Sequence, residues 1–436
     1  MRGARQVGKS FSVRNFAESQ NLQLFEINLD RHLHLEAVFA TKNVGKILAE
    51  ISGTLGVEIS SQKSLLFLDE IQATPSAIAA LRYFYEELPA QAVVAAGSLL
   101  EFTLSDHEFS MPVGRVRYGH MYPMNFEEFL EAFDESLALN RLRSFRLGEE
   151  FSANLHERIS GHLRNYFFTG GLPEVVAQFV KTRSLRAAQQ VLEEVVSSYQ
   201  DDFSKYAKHS QLLLLQTVLK SVPADIGCKI KYAHLSPHHK SVDVKKAIEL
   251  LSNARLVLPV WGSSCSGIPL GAQVNRQIFK LYCLDIGFLN RLLNLSSHSD
   301  RFREPQLIHE GPQAEQFIAQ HLADLSGGTR APELFYWLRE NPRSNAEVDF
   351  VVQHDEQVVP LEVKAGKSGS LKSLMQFVSE KGSKVGVRFY GGLPQRQEVA
   401  HSVATPDGVK VVKYNLLSLP LYFVGQLPRI LEQPLR

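Results

Sequence analysis

Two rhythms of apolar and polar positions run along this chain, and the switches between them mark out its parts. Over the first 121 residues, short apolar runs alternate with stretches of helical spacing. Ser12 to Gln20 reads as a helix, Leu22 to Leu29 as a strand, and a further helical stretch leads to the run Leu65-Leu66-Phe67-Leu68. Ala92 to Ser98 and Val116 to Met121 read as two more strands. Uninterrupted apolar runs separated by helices predict a parallel sheet covered on both faces. From residue 127 to 205, Leu, Phe and Ala recur at three- and four-residue spacing, which predicts helices, with the pattern broken at Gly170-Gly171-Leu172-Pro173. That break reads as a turn between helices rather than a nucleotide sensor.

Beyond Gln211 the pattern shortens. Helices are predicted at Leu212–Ser221, Tyr232–Leu235 and Val242–Leu251, with a turn at Pro223 to Gly227 and strands at Leu256–Val260 and Gln277–Leu281. Three short helices and a strand pair suit a winged helix–turn–helix. The last part predicts a helix at Ile308–Leu325, strands at Glu333–Leu338, Glu347–Val352 and Val358–Lys364, and a helix at Ser370–Val378. The expected fold class is therefore multidomain α/β. Its parts are a sheet domain at 1–135, a helical linker at 136–208, a winged helix at 209–290 and a second α/β domain at 300–436.

Composition narrows the function classes. The 436 residues are 44% hydrophobic and 21% charged, ordinary globular usage that excludes wholesale disorder. Forty-seven Lys and Arg against 46 Asp and Glu leave a net charge of +1, so a nucleic-acid partner must be met by a local patch. Such a patch stands at Lys229, Lys231, Lys240, Lys245 and Lys246, opposed only by Asp225 and Asp243 before Glu249. No apolar run approaches the roughly 18 to 20 residues of a membrane span, and no secretory leader pattern is present. Cys228, Cys265 and Cys283 lack paired or metal-ligand spacing, which fits reduced thiols in a cytoplasmic protein. His234, His238 and His239 lie near one another, but no further ligand stands at metal-site spacing.

The chemistry begins at residue 3. Gly3-Ala4-Arg5-Gln6-Val7-Gly8-Lys9-Ser10 fits the phosphate-loop pattern G-x-x-x-x-G-K-[ST]. Glycines there let backbone N–H groups wrap the α- and β-phosphates, Lys9 reaches the β- and γ-phosphates, and the Ser10 hydroxyl ligates Mg²⁺. The run ending in Asp69-Glu70 would present carboxylates at the edge of a buried strand, Asp69 for the Mg²⁺ and Glu70 to polarise the attacking water. Ser98, ending the next strand, would hydrogen-bond the γ-phosphate or the water. Arg115 or Arg117 would stabilise transition-state charge. A phosphate loop follows a buried central strand of about six to eight residues, and only Met1 and Arg2 precede Gly3. An upstream apolar strand in the native product is the corresponding expectation.

A second constellation lies near the C-terminal end. Glu315 stands on a predicted helix, Asp349 on a strand, and Glu362 and Lys364 on one face of the next strand, two residues apart. Two carboxylates from adjacent strands suit Mg²⁺, with Glu315 completing the shell and Lys364 orienting or deprotonating a nucleophile. The segment resembles the PD-(D/E)xK nuclease-like fold.

Several segments in one order then support a broader resemblance. Gly-Ala-Arg-Gln-Val-Gly-Lys-Ser, Leu-Phe-Leu-Asp-Glu-Ile-Gln, Tyr122-Pro123-Met124-Asn125-Phe126-Glu127-Glu128-Phe129, Tyr166 to Glu174, Tyr199-Gln200-Asp201-Asp202 and Phe279 to Gly287 together look like one family. It is the prokaryotic AAA-type P-loop ATPases with a C-terminal DUF4143 region. The resemblance implies an ATP-binding, ATP-hydrolysing enzyme using Mg²⁺; the winged helix and its lysines add DNA as the expected partner, with a homo-oligomer or protein partner also in view. Phosphodiester hydrolysis would use Asp349, Glu362 and Lys364. The alternative is a switch that binds DNA or a protein without cleaving.

Overall fold

The computed structural model describes the chain except residues 61, 99, 101–113, 207–208, 295–310, 327, 340–344, 365, 367–369, 406–407 and 435–436. It divides into two compact units.

The first unit comprises Met1–Tyr122 with Asn253–Leu256 and Gly327–Ala331. Its sheet has three parallel strands in the order β1 (Gln23–Asn28), β2 (Ser64–Asp69), β3 (Ala92–Ala95). All six residues of β2 are buried, because the run Ser-Leu-Leu-Phe-Leu-Asp is covered on both faces. Alternation sends Leu66 and Leu68 to one face, against Phe25, Ile27, Ile47, Ile51, Ile78 and Phe84. Leu65 and Phe67 go to the other, against Val13 and Ala17 of the helix Lys9–Ser19. Val116 to Met121 forms no strand. Only His120 pairs, in an isolated parallel bridge to Arg2, which also bridges Gly97 in parallel. Arg2 thus stands between the end of β3 and His120, the place expected for a strand preceding the phosphate loop.

The second unit holds the helices expected between residues 127 and 205, broken at Gly170 as predicted and also at 133–135, 145–152 and 183–184. It also holds an eight-stranded mixed sheet. The strands are β4 (Val257–Ser263), β5 (Val274–Cys283), β6 (Leu334–Arg339), β7 (Ala346–His354), β8 (Gln357–Val363), β9 (Val385–Tyr390), β10 (Gln395–Thr405) and β11 (Gly408–Pro420). Their order is β10-β11-β9-β8-β7-β6-β4-β5. The helices His209–Ser221, Tyr232–Leu235 and Ser241–Asn253 match the expected three, and β4 and β5 form the expected antiparallel pair. That pair is not a free-standing wing. Val260 to Ser263 of β4 pair in parallel with Leu334 to Trp337 of β6, so the hairpin is the edge of the C-terminal sheet. The helix expected from Ile308 runs Gly311–Asp324, and residues 308–310 lie outside those described. Among the described residues, no helix is long and apolar enough to cross a membrane. All three cysteines are free thiols.

Candidate functional site

Gly8 precedes the helix Lys9–Ser19 with φ 93°, a left-handed conformation that favours glycine. Gly3 is required by crowding: a Cβ there would lie 2.4 Å from the Met121 carbonyl oxygen. The turn between them curls over the Lys9 ammonium, which is buried and donates to the Gly3 and Ala4 carbonyls at 3.1 and 2.7 Å. Ser10 Oγ donates to Asp69 Oδ2 at 2.9 Å, joining residues 59 positions apart. Asp69 closes β2, and its backbone carbonyl accepts from Leu29 N–H. Glu70 follows in a left-handed conformation at φ 52°, and its carboxylate accepts from the Gln72 amide. Ser98 Oγ is buried and has no hydrogen-bond partner among the described residues. Ser10 and Asp69, a hydroxyl and a carboxylate at a helix N-terminus, are the hard oxygen donors that Mg²⁺ takes. This set fits the nucleotide and ion expected from the sequence. Arg115 is exposed and pairs with Glu86 at 3.0 Å.

The C-terminal constellation contains more than the four residues expected. Glu315 is carried on the helix Gly311–Asp324, Asp349 on β7 and Glu362 on β8, with Lys364 just past its end. Lys364 Nζ donates to Glu362 Oε1 at 2.6 Å, and Val363 N–H donates to Asp349 Oδ2 at 2.7 Å. Glu362 is 4% exposed, and its Oε2 has no partner. Between these acids reaches a cation that sequence reasoning missed. Lys280 of β5 is 0% exposed, with its ammonium 2.5 Å from Glu347 Oε1 and 3.7 Å from Glu315 Oε2. It lies 5.1 Å from the centre of the Tyr336 ring, while Tyr282, two residues along β5, donates to Glu315 Oε2 at 2.8 Å.

Burial, reinforced by the charge of Asp349, pushes Glu315 up to about 8 and Glu362 up to about 7. Asp349 is also raised by burial, against the pull of Lys280. Burial alone would lower Lys280, but Glu315, Asp349 and Glu347 hold it above its ordinary value. Among the described residues, no three His, Cys, Asp or Glu side chains are arranged to hold a metal ion. As they stand the acids hold the ammoniums of Lys280 and Lys364 among them rather than a Mg²⁺ shell. The signal for Lys280 was a lone cation inside the apolar run Phe279 to Leu284. A charged side chain is seldom buried unless it is paired.

Other motif segments build a frame. Tyr166 OH donates to the Met124 carbonyl at 2.6 Å and accepts from Gln320 Nε2 at 2.8 Å. Asp285 Oδ2 accepts from Gly171 N–H at 2.8 Å, and Oδ1 from Gly287 and Phe288 N–H at 2.9 and 3.1 Å. A Cβ on Gly170, at φ 66°, would meet Asp285 Oδ1 at 1.9 Å. The Gly-Gly break is a structural turn.

The expected basic patch is largely exposed. On the helix Ser241–Asn253, Val244, Ala247, Ile248 and Leu251 are buried, while Lys245 and Lys246 face solvent. Lys231 and Lys240 are exposed as well, and Lys229 is half-buried.

Three family models match parts of the chain. Residues 1–130 match the AAA domain model, and residues 310–406 match a domain of unknown function, DUF4143. Residues 160–299, most of the helical middle, match a second domain of unknown function, DUF8612, which the sequence reading did not anticipate. No curated protein matches the chain. An AAA domain points to an ATPase-type function.

Proposed function

We propose that this protein is a Mg²⁺-dependent ATPase whose nucleotide state governs a DNA-contacting winged helix. The observation that carries the ATPase reading is the 2.9 Å contact of Ser10 with Asp69 beside the buried Lys9. In this reading the loop amides and Lys9 hold the phosphates, and Ser10 and Asp69 hold the ion. Mg²⁺ would neutralise charge on the β- and γ-phosphates. Glu70 takes the proton of the attacking water as its oxygen bonds to the γ-phosphorus and the bond to ADP breaks. Ser98 positions that water or the γ-phosphate. Arg115, exchanging Glu86 for phosphate, offsets transition-state charge.

Of the two readings for the C-terminal part, binding without cleavage is favoured by Lys280, whose buried ammonium stands 3.7 Å from Glu315, an acid that a nuclease would give to Mg²⁺. Lys231, Lys240, Lys245 and Lys246 supply the DNA-facing charge. The ATPase reading is tested by phosphate release and by binding of a fluorescent N-methylanthraniloyl ATP. Lys9→Ala should abolish turnover and weaken binding at least tenfold; turnover equal to wild type would remove the assignment.

A further inference from the structure

Gln72 stands two residues beyond Glu70 and belongs to no role assigned so far. Its side-chain amide donates to Glu70 Oε2. The carboxylate only accepts, so the bond fixes which end of the amide is nitrogen. Gln72 Oε1 then faces inward, buried and without a hydrogen-bond partner. The backbone holds it there: Ile71 N–H donates to the Ala96 carbonyl at 3.0 Å, laying this turn across the chain leaving β3. A Cβ on Gly97 would lie 2.5 Å from Gln72 Oε1. Gly97 has no positive φ that would demand glycine, and a side chain there would have to push the Gln72 amide aside. The next residue is Ser98, whose own hydroxyl is buried and unpartnered. Two orphaned buried oxygens beside the candidate base mark a place where hydrogen-bond donors are missing, and buried polar atoms are rarely left so.

We propose that Gln72 is a positioning residue for ATP hydrolysis. Its amide nitrogen aims the Glu70 carboxylate, its Oε1 accepts from the water that Glu70 activates, and Gly97 keeps that amide in place. The inference rests on the ATPase reading above. Among the described residues no hydrogen bond joins Gln72 to Lys9, Ser10 or Asp69, so its loss should affect turnover and spare nucleotide binding.

The test uses the full chain, steady-state phosphate release with Mg²⁺, and the same fluorescent ATP. Gln72→Ala should lower kcat at least tenfold and leave the Kd for the nucleotide within twofold. Gln72→Met, nearly isosteric, should do the same and guards against a folding defect. Gly97→Ala should reproduce the loss with Gln72 intact. The double variant Gly97→Ala/Gln72→Ala should be no slower than Gln72→Ala alone, since the added methyl then has nothing to displace. Wild-type kcat in both Gln72 variants would overturn the role of the amide. Multiplying losses in the double variant would overturn the assignment of Gly97. A wild-type chain that binds nucleotide but never turns it over would overturn the ATPase reading, and this inference with it; turnover lost in Lys9→Ala but not in Gln72→Ala would overturn this inference alone.

Discussion

Replacing Lys280 by Met removes one charge while leaving most of the buried stem. At an effective dielectric of about 20, an ammonium 2.5 Å from one carboxylate and 3.7 Å from another gains about 7 and about 4 kcal/mol. Desolvation of the three ions offsets most of that gain. What is lost on removing one member of such a group is about 3–5 kcal/mol, because the partners stay buried and uncompensated. Lys280→Met should therefore melt well below wild type at pH 8. The deficit should shrink toward pH 5. Glu315 and Glu362 are already raised to about 8 and about 7 from 4.5, so each binds more protons folded than unfolded across that window. As neutral acids they no longer need the cation. If the acids can accept a divalent ion once the ammonium is gone, 1 mM Mn²⁺ with a Kd of about 10 µM would return about 2.7 kcal/mol. The assay is thermal unfolding of wild type, Lys280→Met and Asp349→Asn with and without Mn²⁺, beside incubation of supercoiled plasmid with Mg²⁺. Wild type should gain no more from Mn²⁺ than Asp349→Asn does and should leave the plasmid intact. Mn²⁺ stabilisation of wild type that disappears in Asp349→Asn, with nicking lost in Lys364→Ala, would refute the internal-cation reading.

Two further predictions concern the frame. His321 is fully buried, donates through Nδ1 to the Phe317 carbonyl and accepts the Phe126 N–H on Nε2, so burial pulls it down to about 4 from 6.5. Its stabilisation is complete above pH 6.5 and declines as pH falls toward 4, by about 3 kcal/mol at most. The urea-unfolding gap between wild type and His321→Gln should close over that range, and a pH-independent gap would refute the locked neutral ring. Asp285→Asn turns an amide donor toward backbone N–H groups and should cost about 1–3 kcal/mol for the donor left unpaired. Gly170→Ala, strained at φ 66° and crowded by Asp285, should cost more; wild-type urea midpoints in both would refute the staple.

Local patterns carried the elements well. The run Leu65 to Leu68 ending in Asp69 told its burial and edge, because a strand covered on both faces has no polar alternation to disguise it. The run around Val116 misled, since apolar residues predict a strand only where a partner edge exists, and there only His120 pairs, with Arg2. The strand pair β4–β5 was legible as a hairpin, but its parallel pairing with β6 joins segments more than 70 residues apart, which no local rhythm encodes. Lys280 was hidden for the same reason: its partners Glu315 and Glu347 arrive from a distant helix and a distant strand. Gln72 was visible in the motif but silent, because its meaning depends on Gly97 lying against its amide.

Asp285 and Glu362 show why residue type alone could not separate frame from site. Both are carboxylates in the second unit, 0% and 4% exposed, and both lie in segments that the sequence singled out. Asp285 accepts three backbone N–H bonds spread over both oxygens, which is how a buried acid is made structural. Glu362 meets Lys364 with one oxygen and nothing with the other. A buried acceptor left open costs about 1–3 kcal/mol, a cost that packing alone gives no reason to keep. A similar contrast holds in the first unit, where Ser98 Oγ and Gln72 Oε1 are among the open acceptors and Asp69 is engaged by Ser10. Buried oxygens without a partner also occur at Thr74, Gln91, Asn290, Gln313 and Tyr414, so an open acceptor marks a site only where reactive or charged groups stand beside it. For the C-terminal acids this leaves Glu362 Oε2 as the point at which a ligand donor can attach while Lys280 keeps its place.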